Sequence, residues 1–366
     1  MPNSQILSSE QLQSKVISFL RFPLCVGVVL IHINMSCQQG VPYPIYSFTK
    51  ELFSYILAAV AVPLFFMFSG YLFFYKIENF TASVYVKKVR KRIKTLLIPY
   101  MFWNSMFILC LLLGRWLDPE TQFGVGYSFI DWLKPFWNFN ERSGGATTGD
   151  LPISVQFWYI RDLMVMVLLS PAIYWLTKRL RYGLVLLLGF LWLTGYWSYH
   201  VTGLSIVALL FFSLGAYFSI HGKSFVESLR FHTLLLGVLY ALSAILNLTF
   251  NDNLTGNAVN IIFLQRINIV LGMAFTVSIT AKFISNGKWH TNKFLSESSF
   301  FIFAYHMLVL MILPKAIPLN LLFKTDLMYS IMYIFWAITI TLLGLILYYY
   351  LRKWFPKLTA IITGGR

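Results

Sequence analysis

A series of ten apolar stretches, each about as long as a membrane-crossing helix, most constrains what this chain can fold into. A helix needs about 20 apolar residues to cross the roughly 30 Å hydrocarbon layer of a bilayer. The stretches are continuously apolar and do not alternate with a period of two, which favours helices over barrel strands. We predict an all-α integral membrane protein, a bundle of about ten transmembrane helices. The stretches lie near 16–36, 55–75, 94–114, 155–177, 182–200, 203–220, 231–250, 261–285, 297–316 and 328–351.

The charges support this assignment and predict an orientation. Charged residues make up only 11% of the chain, against about 25% in a typical soluble domain. Basic residues cluster after the second stretch, as Lys87 to Lys94, after the fourth, sixth and eighth, and in the C-terminal tail. Short cytoplasmic loops retain such residues, so both termini are predicted to be cytoplasmic. The same bias accounts for the net charge of +16, and we expect no nucleic-acid partner.

Two further features bear on the type of protein. The three cysteines, Cys25, Cys37 and Cys110, lack the spacing of a metal site, and we expect no bound metal. The connection 115–154 is long, aromatic and in places acidic, and is predicted to be extracytoplasmic. Its aromatic residues suit either stacking on sugar rings or a belt at the membrane interface.

The first apolar stretch contains two ionisable residues, Arg21 and His32. They are eleven residues apart, which is about 1100° of helical rotation, within about 20° of three full turns, and about 16 Å along the axis. A single arginine near a helix end commonly extends to the interface, and a single buried histidine is commonly only hydrogen-bonded. Two ionisable groups on one face of a membrane helix instead indicate a polar cavity.

Four other polar residues fall at compatible depths in later stretches: Arg161 and Asp162 in the fourth, Arg266 in the eighth and His306 in the ninth. Asp162 is the only carboxylate well inside any stretch, which makes it a natural partner for a histidine. An ion pair between Asp162 and Arg161 or Arg266 that only holds helices together is the alternative.

Five segments in order resemble the helices of the membrane acyltransferase-3 family, polytopic enzymes that O-acylate cell-surface glycans. "FLRFPLCVGVVLIH" resembles the Arg-x10-His first helix of that family, and "AVPLFFMFSGYLF" resembles its second. "VRKRIKTLLIPYMFW" is similar to its Arg-x-Arg segment followed by a Pro-Tyr-led third helix. "FWYIRDLMVMVLLSP" and "SESSFFIFAYHMLVL" are similar to its fourth helix and to a late histidine-containing helix.

The resemblance implies roles for several residues. It implies that His32 is catalytic with Arg21 as its motif partner, and that Arg90 and Arg92 meet an acyl-CoA donor, with acetyl the expected acyl group. We add Asp162 as a group that orients the imidazole. Neutral His32 is suited to act as a general base on a sugar hydroxyl or as a nucleophile that itself takes the acyl group. The residues expected to contact substrate are Trp158, Arg161, Arg266 and His306.

The spacing of the two donor arginines sets a condition on their use. Residues two apart do not share a helix face, so Arg90 and Arg92 both touch one ligand only if the segment is extended or the nucleotide spans the helix end. Guanidinium groups suit the phosphates of coenzyme A. An ordinary basic loop that sets topology is the alternative.

The sequence therefore predicts one transmembrane domain over 1–366 without an appended soluble domain, in a bacterial inner membrane. We expect a membrane O-acyltransferase that moves an acyl group from cytoplasmic acyl-CoA to a cell-surface or lipid-linked glycan. A polysaccharide or lipid transporter or flippase is the alternative, but ion-coupled transporters usually carry several intramembrane carboxylates or paired broken helices.

Overall fold

A computed structural model describes residues 7–35, 41–117, 123–139, 151–196, 201–252, 258–316 and 325–365. All regular secondary structure in these ranges is helical, which confirms the predicted all-α class. Of the three cysteines, Cys37 lies outside the described residues. The helices are α1 Ser9–His32, α2 Pro44–Phe74, α3 Ala82–Trp116, α4 Phe129–Leu133, α5 Val155–Leu168, α6 Ser170–Leu180, α7 Tyr182–Thr194, α8 Ile206–Ile220, α9 Phe225–Phe250, α10 Ile261–Ser285, α11 Lys293–Ile312, α12 Asp326–Trp354 and α13 Pro356–Thr363.

The number of helices long enough to cross a membrane is smaller than the predicted ten. Seven described helices meet the length and hydropathy requirement, namely α1, α2, α3, α9, α10, α11 and α12. Helices α5 and α6 meet it only together and meet at an angle of 67°, so the described residues provide seven spans, or eight if this bent pair is one span.

The fifth and sixth apolar stretches account for the difference between ten and eight. Helix α7 has 13 residues and ends at Gly195, whose φ is 77°. Helix α8 has 15 residues and begins only after Ser205, whose side chain caps it. Their lengths are about 20 Å and 23 Å, shorter than the hydrocarbon layer. Eight spans would leave both termini on one side of the membrane and seven would not, so the cytoplasmic location of both termini stays a prediction.

Helices α2 and α8 pack with their backbones in contact because a glycine of each helix faces the main chain of the other. A Cβ atom added to Gly70 of α2 would lie 2.0 Å from the carbonyl oxygen of Phe212, and one added to Gly215 of α8 would lie 1.9 Å from that of Met67. Small residues allow such close approach of membrane helices. This contact explains why the "FSG" segment of α2 needs a glycine, and it fixes α2 in the core.

Helices α1 and α11 run side by side in the same direction. The thiol of Cys25 donates to the carbonyl oxygen of Ser299 at 3.0 Å, and seven residues further along both helices the ring nitrogens of His32 and His306 are 3.4 Å apart. A parallel pair agrees with the sequence-based topology, in which the first and ninth stretches cross the membrane in the same sense.

Two π-helical segments interrupt the long helices α2 and α3. Glu51–Leu57 lies within α2, and Ile93–Leu97 follows Arg92 directly within α3. Such segments often occur at functional sites because the wider turn changes the direction of the side chains around it.

The described parts of the connection 115–154 fold back onto the helices. The amide of Phe139 donates to the carbonyl of Leu151, and that of Ile153 donates to the carbonyl of Pro135, both at 2.8 Å. Phe139 and Ile153 form a small apolar cluster with residues of α3 and with α11 beyond His306. The segments 118–122 and 140–150 of this connection lie outside the described residues.

Candidate active site

Five helices, α1, α2, α3, α5 and α11, enclose a cavity of about 160 Å³. It lies in a largely apolar bundle, yet much of its wall is polar. The polar residues that line it are Arg21 and Cys25 of α1, Ser69 of α2, Arg92 of α3, Tyr159 of α5, and Ser296 and Ser299 of α11.

Arg21 and Arg92 bring two guanidinium groups into this cavity from separate sequence motifs. Within the described residues neither side chain has a hydrogen-bond or salt-bridge partner, and Arg92 lies over the ring of Phe73 at 5.9 Å. Arg161 and Arg352, in contrast, lie within 3.0 Å of carboxylates. A positive charge away from water is costly without a counter-charge. The cavity is therefore electrostatically suited to an anionic ligand.

Neutral hydrogen-bonding groups complete the cavity wall. The hydroxyls of Tyr159 and Ser69 are 3.2 Å apart, and the ring of Tyr159 packs against that of Phe66 at 4.6 Å. The sequence analysis did not single out these two hydroxyls. Both lie inside quoted motifs, "FWYIRD" and "FMFSGY", which is the signal that would have indicated them.

His32 is the last residue of α1, beyond the cavity and about 16 Å along the helix from Arg21. Its Nδ1 atom lies 2.8 Å from the carbonyl oxygen of Val28. A carbonyl oxygen only accepts hydrogen bonds, so Nδ1 carries the proton of the neutral ring and Nε2 keeps a free lone pair. This is the form in which Nε2 can accept a proton from a substrate hydroxyl.

His306 lies beside His32. The ring centroids are 5.1 Å apart, and Phe303, which lines the cavity, lies with its ring centroid 6.3 Å from that of His306. Phe303 thus borders both the cavity and the histidine pair. Along α1, the cavity with its two arginines therefore comes first and His32 follows at the end of the helix.

Asp162 is not joined to His32, contrary to its expected role in orienting the imidazole. Its Oδ1 atom accepts hydrogen bonds from Nε and Nη2 of Arg161 at 3.1 and 3.0 Å, and its Oδ2 atom accepts from the amide of Ser205 at 3.2 Å. Arg161 also donates to the carbonyl of Trp137 at 2.8 Å. Both charged side chains are at most 4% exposed. The geometry therefore shows an ion pair between Asp162 and Arg161 that holds parts of the fold together. The pair joins α5 to the 123–139 segment and to the start of α8.

Other predicted site residues lie away from the cavity lining. Arg266 donates to the carbonyl of Trp192 and lies over its indole ring at 5.7 Å, so it joins α10 to α7. Trp158 packs beside Phe66 with ring centroids 6.1 Å apart. Arg90 is exposed, and the segment around it is helical, so Arg90 and Arg92 point about 200° apart. Of the Arg-x-Arg pair, only Arg92 faces the cavity.

Comparisons with known proteins identify the family of this chain. A family model described as "Acyltransferase domain" matches residues 15–353. The chain is 25% identical over 380 aligned residues to the Succinoglycan biosynthesis protein ExoH of Rhizobium meliloti, an alignment that covers 96% of this chain and 92% of that protein. No solved structure matches the chain significantly. The family model favours the enzyme over the transporter that the sequence left open. The chain belongs to the acyltransferase-3 family and is an acyltransferase.

Proposed function

We propose that this protein moves an acyl group from acyl-CoA on the cytoplasmic side of a bacterial inner membrane to a hydroxyl of a polysaccharide or lipid-linked glycan on the other side. The observation that carries the proposal is that Arg21 and Arg92 line one cavity. Arg21 and His32 belong to the same helix, α1. The similarity to a protein named for succinoglycan biosynthesis supports a polysaccharide acceptor.

The donor is recognised by its negative charge. Coenzyme A carries phosphates, and guanidinium groups bind phosphate through two parallel hydrogen bonds. Because Arg90 faces away from the cavity, we assign the donor contact to Arg21 and Arg92 instead of to the Arg90–Arg92 pair. The basic segment Lys87 to Lys94, which contains Arg92, supports a cytoplasmic position for this end of α3.

His32 supplies the base. The acceptor hydroxyl gives its proton to Nε2 of His32 while its oxygen attacks the thioester carbonyl carbon. The carbon–sulfur bond then breaks, and the departing coenzyme A thiolate takes the proton from the imidazolium. General-base assistance of this kind contributes about 10²–10⁴-fold to a rate. If His32 instead takes the acyl group itself, an acyl-enzyme accumulates when acceptor is omitted.

The acceptor approaches from the extracytoplasmic side. His32 lies at the end of α1 opposite to the predicted cytoplasmic terminus, and the described part of the 115–154 connection packs on α11 just beyond His306. The nucleotide of the donor therefore stays near the cytoplasmic surface, and the pantetheine arm carries the thioester along the cavity towards His32.

Sealed proteoliposomes of known orientation test this arrangement. With acetyl-CoA or succinyl-CoA on the cytoplasmic side and an acceptor oligosaccharide on the other, we expect acylated product, and none from vesicles that contain His32→Ala. Comparison of the two donors identifies the acyl group. Product that forms only when donor and acceptor share one side would refute transfer across the membrane.

A further inference from the structure

His306 was expected to contact substrate, but its surroundings give it a different task. Its side chain is fully buried in α11. Its Nδ1 atom lies 2.7 Å from the carbonyl oxygen of Phe303 and 3.2 Å from that of Ile302. Both oxygens only accept hydrogen bonds, so Nδ1 carries the proton of the neutral ring. The Nε2 atom of His306 is then a buried acceptor, and a buried acceptor without a donor is costly.

The donor in the described part of the chain is His32. Its Nδ1 atom lies 3.4 Å from Nε2 of His306 and 2.8 Å from the carbonyl oxygen of Val28, so one N–H group faces two acceptors. In the other tautomer of His32, the lone pair of Nδ1 would face an oxygen lone pair and a nitrogen lone pair at these distances. The surroundings of Nδ1 therefore favour the tautomer with the proton on Nδ1 and the lone pair on Nε2.

We propose that His306 is a positioning residue that holds His32 in this tautomer and so directs the Nε2 lone pair at the acceptor hydroxyl. The inference rests on the proposed function, in which Nε2 of His32 is the base. A carboxylate has the corresponding task in Ser-His-Asp triads. Here Asp162 is occupied by Arg161, and a neutral imidazole accepts the hydrogen bond in its place.

Packing is the competing explanation, because the two imidazole rings are in contact. A packing role depends on volume and apolar surface, which leucine supplies. A positioning role depends on an acceptor atom, which leucine lacks and glutamine provides through its side-chain carbonyl oxygen. The two explanations therefore predict opposite orders for these two substitutions.

Steady-state kinetics of purified protein separate them. We expect His306→Leu to lower kcat by about 100-fold, with the KM for acyl-CoA changed by less than about threefold, since donor binding is remote from the pair. His306→Gln should stay within about tenfold of the wild-type kcat. A kcat for His306→Leu equal to or above that of His306→Gln, with both variants folded, would overturn the proposal.

Nitrogen NMR of the wild-type protein provides a test that needs no folded His306 variant. In lipid-reconstituted protein labelled with ¹⁵N-histidine, the signals of His32 are identified by their loss in His32→Gln. We expect a protonated Nδ1 and an unprotonated Nε2, and a shift towards the other tautomer in His306→Leu. A wild-type His32 protonated on Nε2 overturns the positioning role whether or not acyl transfer is observed. The expected spectrum from a protein without transferase activity would instead count against the proposed function alone.

Discussion

Replacing Arg92 by glutamine should weaken the binding of acyl-CoA far more than the same replacement of Arg90, two residues earlier on the same helix. Arg92 is partly buried and lines the cavity with Arg21, whereas Arg90 is exposed on the other side of α3. The two changes remove the same charge from nearly the same depth, so Arg90→Gln is a matched control for the loss of a basic residue.

The expected difference follows from the environment of each guanidinium. A hydrogen bond to a charged group contributes about 1.5–3 kcal/mol, and 1.4 kcal/mol corresponds to a factor of ten. Loss of the Arg92 contact should therefore raise the Kd for acyl-CoA about 10–100-fold. An exposed charge such as that of Arg90 contributes about 1 kcal/mol or less, which is at most about fivefold.

Isothermal titration of acyl-CoA into the detergent-solubilised variants measures both Kd values directly. Arg92→Lys should give an intermediate value, because it keeps the charge and loses the planar pair of donors. Thermal unfolding of each variant confirms that the protein is intact. If Arg90→Gln and Arg92→Gln weaken binding equally, the basic segment acts only through its overall charge, and the assignment of the cavity to the donor is wrong.

Three further results are expected. His32→Ala should abolish acyl transfer while the protein still inserts and folds; transfer by a folded variant would exclude His32 as the base. Gly215→Ala should destabilise the fold by about 1–3 kcal/mol, because the new Cβ would lie 1.9 Å from a main-chain oxygen of α2. Gly189→Ala is the control: nothing lies within 4 Å of its new Cβ, and the same denaturation assay should show no loss of stability. Asp162→Asn should cost about 3–5 kcal/mol by removing the counter-charge of the buried Arg161 guanidinium, with kcat per folded molecule retained; a lower kcat at unchanged stability would restore the carboxylate to the catalytic machinery.

Local periodicity accounts for the features that the sequence predicted well. The helical class follows from continuous apolar stretches, because a backbone in lipid must satisfy its own hydrogen bonds. The helical spacing of eleven residues places Arg21 and His32 on one side of α1, and the spacing of two places Arg90 and Arg92 on different faces. These relations need only the geometry of one helix.

Tertiary distances account for what the sequence left open or predicted wrongly. The choice of Asp162 between Arg161 and His32 depends on where α5 lies relative to α1, which no local rule specifies. The contact of His306 with His32 requires α1 and α11 to be parallel neighbours in one register. The lengths of α7 and α8 depend on a left-handed glycine and a serine cap, which hydropathy alone does not detect.

The shortness of α7 has a consequence for the bilayer around the protein. Its outward residues Leu186, Leu187 and Phe190 are 54–63% exposed, as expected for a surface covered by lipid. Exposed tyrosines, Tyr182 and Tyr196, mark its two ends, and such rings sit at the headgroup level. The helix is about 20 Å long, roughly 10 Å less than the thickness of the hydrocarbon layer of an ordinary bilayer. We expect the thermal stability of the protein to be higher in lipids with short acyl chains, in which α7 would reach both headgroup layers, than in lipids with long ones.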